Sequence, residues 1–187
     1  MKKISLKIFL KIFSIAIIIT ALVLPWWQLH GSGNSIERTT NTYLIPQTMI
    51  TKTILKNVQE SELANIPVEF TTFLFAITLI TSFSCLPIIG SILLKKHRKT
   101  ANILTFLGIF LLILSCAIFC YGFGELTKVG LGSLQGSGSL EILVPDSQEY
   151  VKIPASWGIS YGIFLVLAAI VILSIVSFIE FKQRKSL

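Results

Sequence analysis

Cys116 and Cys120 stand four residues apart inside an apolar run, and His30 and His97 are the only histidines of the chain. Thiol pairs and imidazoles are the groups from which redox, metal and haem sites are built, so their spacing decides whether any of these is available. One helix holds Cys116 and Cys120 roughly parallel, and two ligands leave a metal site incomplete. Cys85, the third cysteine, belongs to a different apolar run, and all three read as small buried apolar residues. No Cys-x-x-Cys motif is present, and both histidines lie outside the apolar runs, which removes the two-histidine ligation of a membrane haem. Glu69 and Glu125, at the ends of apolar runs, are the remaining candidates for acid–base work on an apolar substrate, with charge balance at the membrane surface as the plainer reading. The glycine-rich stretch 130–138 lacks the Lys-Ser/Thr of a phosphate loop and reads as a flexible connection. The expectation is a non-enzymatic protein, with no catalytic residue, no cofactor and no metal ligand.

The elements that would position these residues are membrane spans. Mean hydropathy is +0.79, and 13% of residues are charged, against about a quarter in soluble domains. Residues 8–27, 70–94, 103–123 and 157–178 are each long enough to cross a hydrocarbon core of about 30 Å as a helix. The first run resembles a signal peptide, but Leu24-Pro25-Trp26-Trp27 is a poor cleavage site and favours a retained anchor. The clusters Lys2, Lys3, Lys7, Lys11, then Lys95, Lys96, Arg98, Lys99, then Lys182, Arg184, Lys185 all fall on one side of the spans. By the positive-inside rule the N-terminus (1–7), the loop 95–102 and the C-terminus (179–187) are cytoplasmic, and segments 28–69 and 124–156 lie outside. The protein is therefore expected in the cell membrane, and the net charge of +7 orients it rather than marking a nucleic-acid partner.

Helices in lipid pack through small residues. Gly108, Ser115 and Gly122 fall on one stripe of the third span, Thr71, Thr78, Ser82 and Cys85 on one of the second, and Gly158 and Gly162 form a small-xxx-small pair in the fourth. These suit a left-handed four-helix bundle. Lys11, Glu69 and Glu180 sit near span ends, where they can snorkel, so no ion pathway is indicated. Pro87 is expected to kink or end the second helix.

Both outer segments are longer than a simple connection needs. Residues 38–45 and 47–55 read as strands separated by Pro46, followed by a short helical piece near 57–65. Residues 140–144 and 149–153 read as a hairpin around the turn 145–148. Joined into one sheet, they would cap the bundle, giving an all-α four-helix membrane bundle with a small extracytoplasmic β-sheet cap. Trp26, Trp27 and Trp157 would mark its base at the membrane interface. With Tyr43 and Tyr150 they form the candidate interaction set.

The junction Ala21-Leu-Val-Leu-Pro25-Trp26-Trp27, leading into Thr-rich strands, resembles the same junction in claudins and the wider peripheral-myelin-protein family. The resemblance implies four spans, cytoplasmic termini, and a longer first and shorter second outer loop folded into a sheet. The family's Gly-Leu-Trp and cysteine pair are absent, so its loop disulfide is not implied here. The expected function is protein–protein interaction or self-association through the cap, with the bilayer and a membrane-protein or envelope partner as partners. The alternative is an accessory or assembly subunit of a larger membrane complex, followed by a transporter or enzyme for an apolar substrate.

Overall fold

The computed structural model describes residues 6–33, 36–55, 58–94, 97–143 and 150–185. The chain runs α1 (Leu6–Val23), β1 (Pro25–Gly33), β2 (Ile36–Tyr43), β3 (Thr48–Leu55), β4 (Val58–Leu63), α2 (Val68–Phe83), α3 (Cys85–Leu93), α4 (Arg98–Gly130), β5 (Gly136–Leu143), β6 (Tyr150–Ile159) and α5 (Tyr161–Lys185). Among the described residues, α1, α2 with α3, α4 and α5 supply four spans long and apolar enough to cross a membrane, the composition of a multi-pass membrane protein. Lys2, Lys3, Lys95, Lys96 and the expected turn 145–148 lie outside the described residues.

The helices depart from their expected limits for local reasons. α1 stops at Val23, not at residue 27, because Leu24 precedes Pro25, whose ring disfavours helix in the residue before it. The second span is broken at Ser84. Pro87 has no N–H to offer the carbonyl of Phe83 four residues earlier, so the expected interruption falls one turn ahead of the proline. α4 exceeds 103–123 at both ends, taking in part of the loop 95–102 and the first residues of segment 124–156. α5 begins at Tyr161 rather than 157.

The six strands form one antiparallel sheet in the order β4-β3-β2-β1-β6-β5. The two expected hairpins appear as β2–β3 and β5–β6, but the strand that joins them, β1, was not anticipated, because its first residues were read as the end of a helix. β1 pairs with β6 through Gln28↔Gly158, Leu29↔Trp157 and His30↔Ser156. The helical piece expected at 57–65 is instead β4, drawn into the ladder by its pairing with β3. Pro154 is tolerated in β6 because the pairing with β1 ends at Ala155, so its missing N–H costs no bond on that side.

An aromatic layer joins sheet to bundle. Trp26 meets Phe119 edge-on with centroids 5.2 Å apart, Trp27 lies 5.0 Å from Phe123, and Phe119 stacks on Phe123 at 5.1 Å. Such pairs add about 0.5–1.5 kcal/mol each beyond the area they bury. Below this layer the stripe on α4 packs as expected: Thr105, Gly108, Leu112, Ser115 and Phe119 are buried. A Cβ on Gly108 would lie 2.7 Å from Ile88 and 3.1 Å from the Ser84 carbonyl, and one on Gly122 would lie 2.5 Å from the Phe73 ring. On α2 the buried face is Phe70, Leu74, Ile77, Thr78 and Thr81, while Ser82 points outward, contrary to the expected stripe. A smaller cluster of Ile36, Ile142 and Ile153, with Leu55, Leu140 and Val151 packed against it, lies within the sheet.

Lys11 overturns one expectation. It does not snorkel: the residue is 2% exposed, and its ammonium contacts both oxygens of Glu180, at 3.1 and 3.2 Å, across the α1–α5 interface.

Candidate functional site

Strand alternation sorts the sheet into two faces. Trp27, Leu29 and Gly31 of β1, with Ala155 and Ile153 of β6, occupy the buried face. Gln28, His30 and Ser32, with Ser156 and Gly158 opposite, occupy the other, where an open groove of about 600 Å³ runs over β1, β6 and β5. Gln28, His30, Gln135, Ser137, Ser156 and Gly158 line it, with the chain at Gly136, Trp157 and Ile159. The lining offers hydrogen-bond donors and acceptors and no carboxylate, lysine or arginine. Asn41, opposite Gln28 on this face, has an Oδ1 that is buried without a protein partner.

The groove brings together a histidine and a serine, two of the groups of an acyl-transfer relay, without its carboxylate or its geometry. His30 and Ser156 are direct cross-strand neighbours, yet no hydrogen bond joins them. On its other side His30 Nδ1 lies 3.1 Å from Thr39 Oγ1 and 3.8 Å from Glu37 Oε1, the latter too long for a hydrogen bond. Among the described residues no cluster of three histidines, cysteines or carboxylates could hold a metal. Glu125 is engaged by Lys128, one helical turn on.

Five interaction candidates came from the sequence, and the structure separates them. Trp26 is 0% exposed and Trp27 is nearly so, so neither is available at a surface. Both point inward because β1 carries a bulge between Pro25 and Trp27, and the extra residue sends two successive side chains to one side. Trp26 Nε1 donates to the Ala21 carbonyl at 2.8 Å, and Trp27 Nε1 donates to that of Leu134 at 3.0 Å. Trp157 is half-buried over Gly136 and Gly138, where added Cβ atoms would lie 3.1 and 3.2 Å from its ring, and its Nε1 donates to the Ser133 carbonyl at 3.0 Å. Two indoles thus pin successive carbonyls of the stretch read as a flexible connection. Tyr43 sits half-buried at the bundle end of β2, and Tyr150, 69% exposed, sits at the far end of β6. Of the five, only Tyr150 is a broadly exposed side chain.

The packing candidates divide as well. Gly108, Ser115 and Gly122 serve contacts within the bundle. Gly158 is in a strand, so it forms no helical pair with Gly162; the Gln135 side chain lies across it, 3.1 Å from where a Cβ would stand. Gly162 seats Trp26, with 2.2 Å between its would-be Cβ and the indole Cδ1. Sequence reading missed the groove itself: Gln28, His30, Gln135 and Ser156 are ordinary polar residues until the β1–β6 register brings them together. No protein-family model matches the chain, and no curated protein matches it.

Proposed function

We propose that the protein is a non-enzymatic multi-pass protein of the cell membrane whose left-handed bundle, with both termini cytoplasmic, holds the sheet outside as a platform for protein–protein interaction or self-association. The architecture is claudin-like in its four spans, its longer first and shorter second outer segment, and its sheet built from both. Orientation follows from the basic residues gathered at the opposite end of the spans.

The observation that carries this reading is the contrast between the two edges of the sheet. β4 is short and carries Glu60 and Glu62, both exposed, a common guard against edge pairing. β5 is an eight-residue edge, Gly-Ser-Gly-Ser-Leu-Glu-Ile-Leu, with Glu141 its sole charge. It borders the polar groove. An extended segment of a partner can add to β5 through main-chain hydrogen bonds while its side chains reach Ser137 and Gln135. The accessory-subunit reading is less favoured, since Gly108, Ser115, Gly122 and Gly162 are used within the chain; of the second-span stripe, Thr78 is buried and Ser82 faces outward.

A photo-crosslinking residue at Ser139 on β5, compared with one at Ser61 on β4, tests the proposal in native membranes. Ser139 should yield one adduct of defined mass, abolished by Ser137→Lys, while Ser61 yields none. Monomer alone from both positions, or the same adducts from both, would reject it.

A further inference from the structure

We infer that the turn joining β2 to β3, residues 44–47, is a re-entrant element lowered into the apolar slab of the membrane, where Ile45 and Pro46 meet the acyl chains of the leaflet on the sheet side. The inference rests on the reading that the four helices cross a bilayer with the sheet at one face of it.

Depth is set by two helices. Thr78 shares its hydroxyl proton between the Leu44 carbonyl at 3.0 Å and its own Leu74 carbonyl at 2.8 Å. Thr78 lies ten residues in from Val68, the start of α2, so the turn reaches about 15 Å below that start at the helical rise of 1.5 Å per residue. α1 and α5 run antiparallel, with Lys11 level with Glu180. Equal rise then brings Val23, the end of α1, level with about residue 168 of α5, and α5 continues for roughly 10 Å more to Tyr161. The column that α1 vacates is where the turn sits, for the Ile45 amide donates to the Leu22 carbonyl at 3.1 Å.

Three backbone groups of the turn are satisfied by protein, which is how irregular backbone survives at membrane depth, while the hydroxyls of the flanking Thr42 and Thr48 are buried without a protein partner. The Ile45 N–H is taken by Leu22, the Leu44 carbonyl by Thr78, and the Gln47 N–H by Leu44 at 3.0 Å. Pro46 has no N–H to satisfy. α1 would otherwise end in the slab with bare carbonyls, and those of Ala21 and Leu22 are occupied by the Trp26 indole and the Ile45 amide. The side chains agree: Leu44 is fully buried, whereas Ile45 is 40% exposed and Pro46 is exposed beside it. At this level α2 exposes Phe75 and Leu79, so the surrounding outer surface is apolar too. Water would be a poor neighbour for it.

The experiment is a spin label introduced at Ile45→Cys, in a chain whose three cysteines are replaced, reconstituted in phosphatidylcholine bilayers. Its accessibility to oxygen and to a water-soluble nickel chelate is compared with labels at Leu79, Phe110 and Tyr150. The expected result is that position 45 matches position 79, excluding nickel several-fold better than position 150. Nickel access at 45 equal to that at 150, with 110 shielded, overturns the inference and leaves the spans standing. Nickel access at 110 as well overturns the reading of the spans on which it rests. Should the cysteine-free chain not fold, Ile45→Asp against Tyr150→Asp in the natural chain serves. A several-fold loss of folded, membrane-inserted protein for Ile45→Asp alone supports the inference, and equal yields overturn it.

Discussion

The first and last helices are clasped at both ends, and the two clasps work by different physics. Toward the sheet, Trp26 leaves the end of α1, lies against Phe119 and fills the space that Gly162 leaves on α5. At the opposite end a buried Lys11 and a part-buried Glu180 close the same interface as an ion pair. The aromatic clasp depends on shape, because dispersion falls away within an ångström of misfit. The ionic clasp depends on both charges being present, since either alone would be stranded in an apolar setting. The lesson is that the α1–α5 interface should fail in two distinguishable ways.

The largest effect is expected at the aromatic clasp. Trp26→Ala removes a fully buried ring and the donor to Ala21, and should cost about 3–5 kcal/mol, read as loss of thermal stability in detergent. Gly162→Leu alone should cost about 3 kcal/mol by overpacking. Combined, the two should cost clearly less than their sum, because the leucine enters the space the indole leaves. Strict additivity would show that Gly162 does not seat Trp26.

Next comes the ionic clasp. Glu180→Gln should destabilise by about 3 kcal/mol, the low end of the range for stranding a buried charge, since the carboxylate is partly exposed. Lys11→Met with Glu180→Leu should return close to the natural stability. If the double variant is as unstable as the single, the pair contributes net attraction rather than matched desolvation. Thr78→Val, which keeps the shape and removes the hydroxyl that holds the Leu44 carbonyl, should cost about 0.5–1.5 kcal/mol. Smallest is Gly158→Ala, within about 0.5 kcal/mol, because the Gln135 side chain across it can yield. A large effect there would bring back a packing role for Gly158 that its place in a strand argues against.

Much of this contrast was hidden in the one-dimensional pattern. Lys11 and Glu180 looked like snorkelling ends because hydropathy reports distance from a span's end, not which residue faces it across an interface. Gly158 and Gly162 looked like one motif because a spacing of four is helical only if a helix is present, and the α5 boundary falls between them at Ser160. The tryptophans looked like interfacial anchors, the usual place of an indole in membrane proteins. A signal against this was available: consecutive tryptophans after a proline cannot both face the interface from a regular strand. The groove was illegible because its residues come from β1, β6, β5 and Gln135 just before it, distant in sequence and brought together by register.

The sequence by itself determined the four spans, the placement of its charges at their ends, the strands of both hairpins and the inward stripe Gly108, Ser115 and Gly122, because each is a local property of hydropathy, propensity or helical period. Tertiary structure alone decided that β1 fuses the hairpins into one sheet, that Trp26 turns into Gly162, and that Lys11 meets Glu180. It also lowered the β2–β3 turn onto the end of α1. These are pairings between distant segments, and what selects them is the need to fill space around two indoles and to leave no carbonyl or charge without a partner.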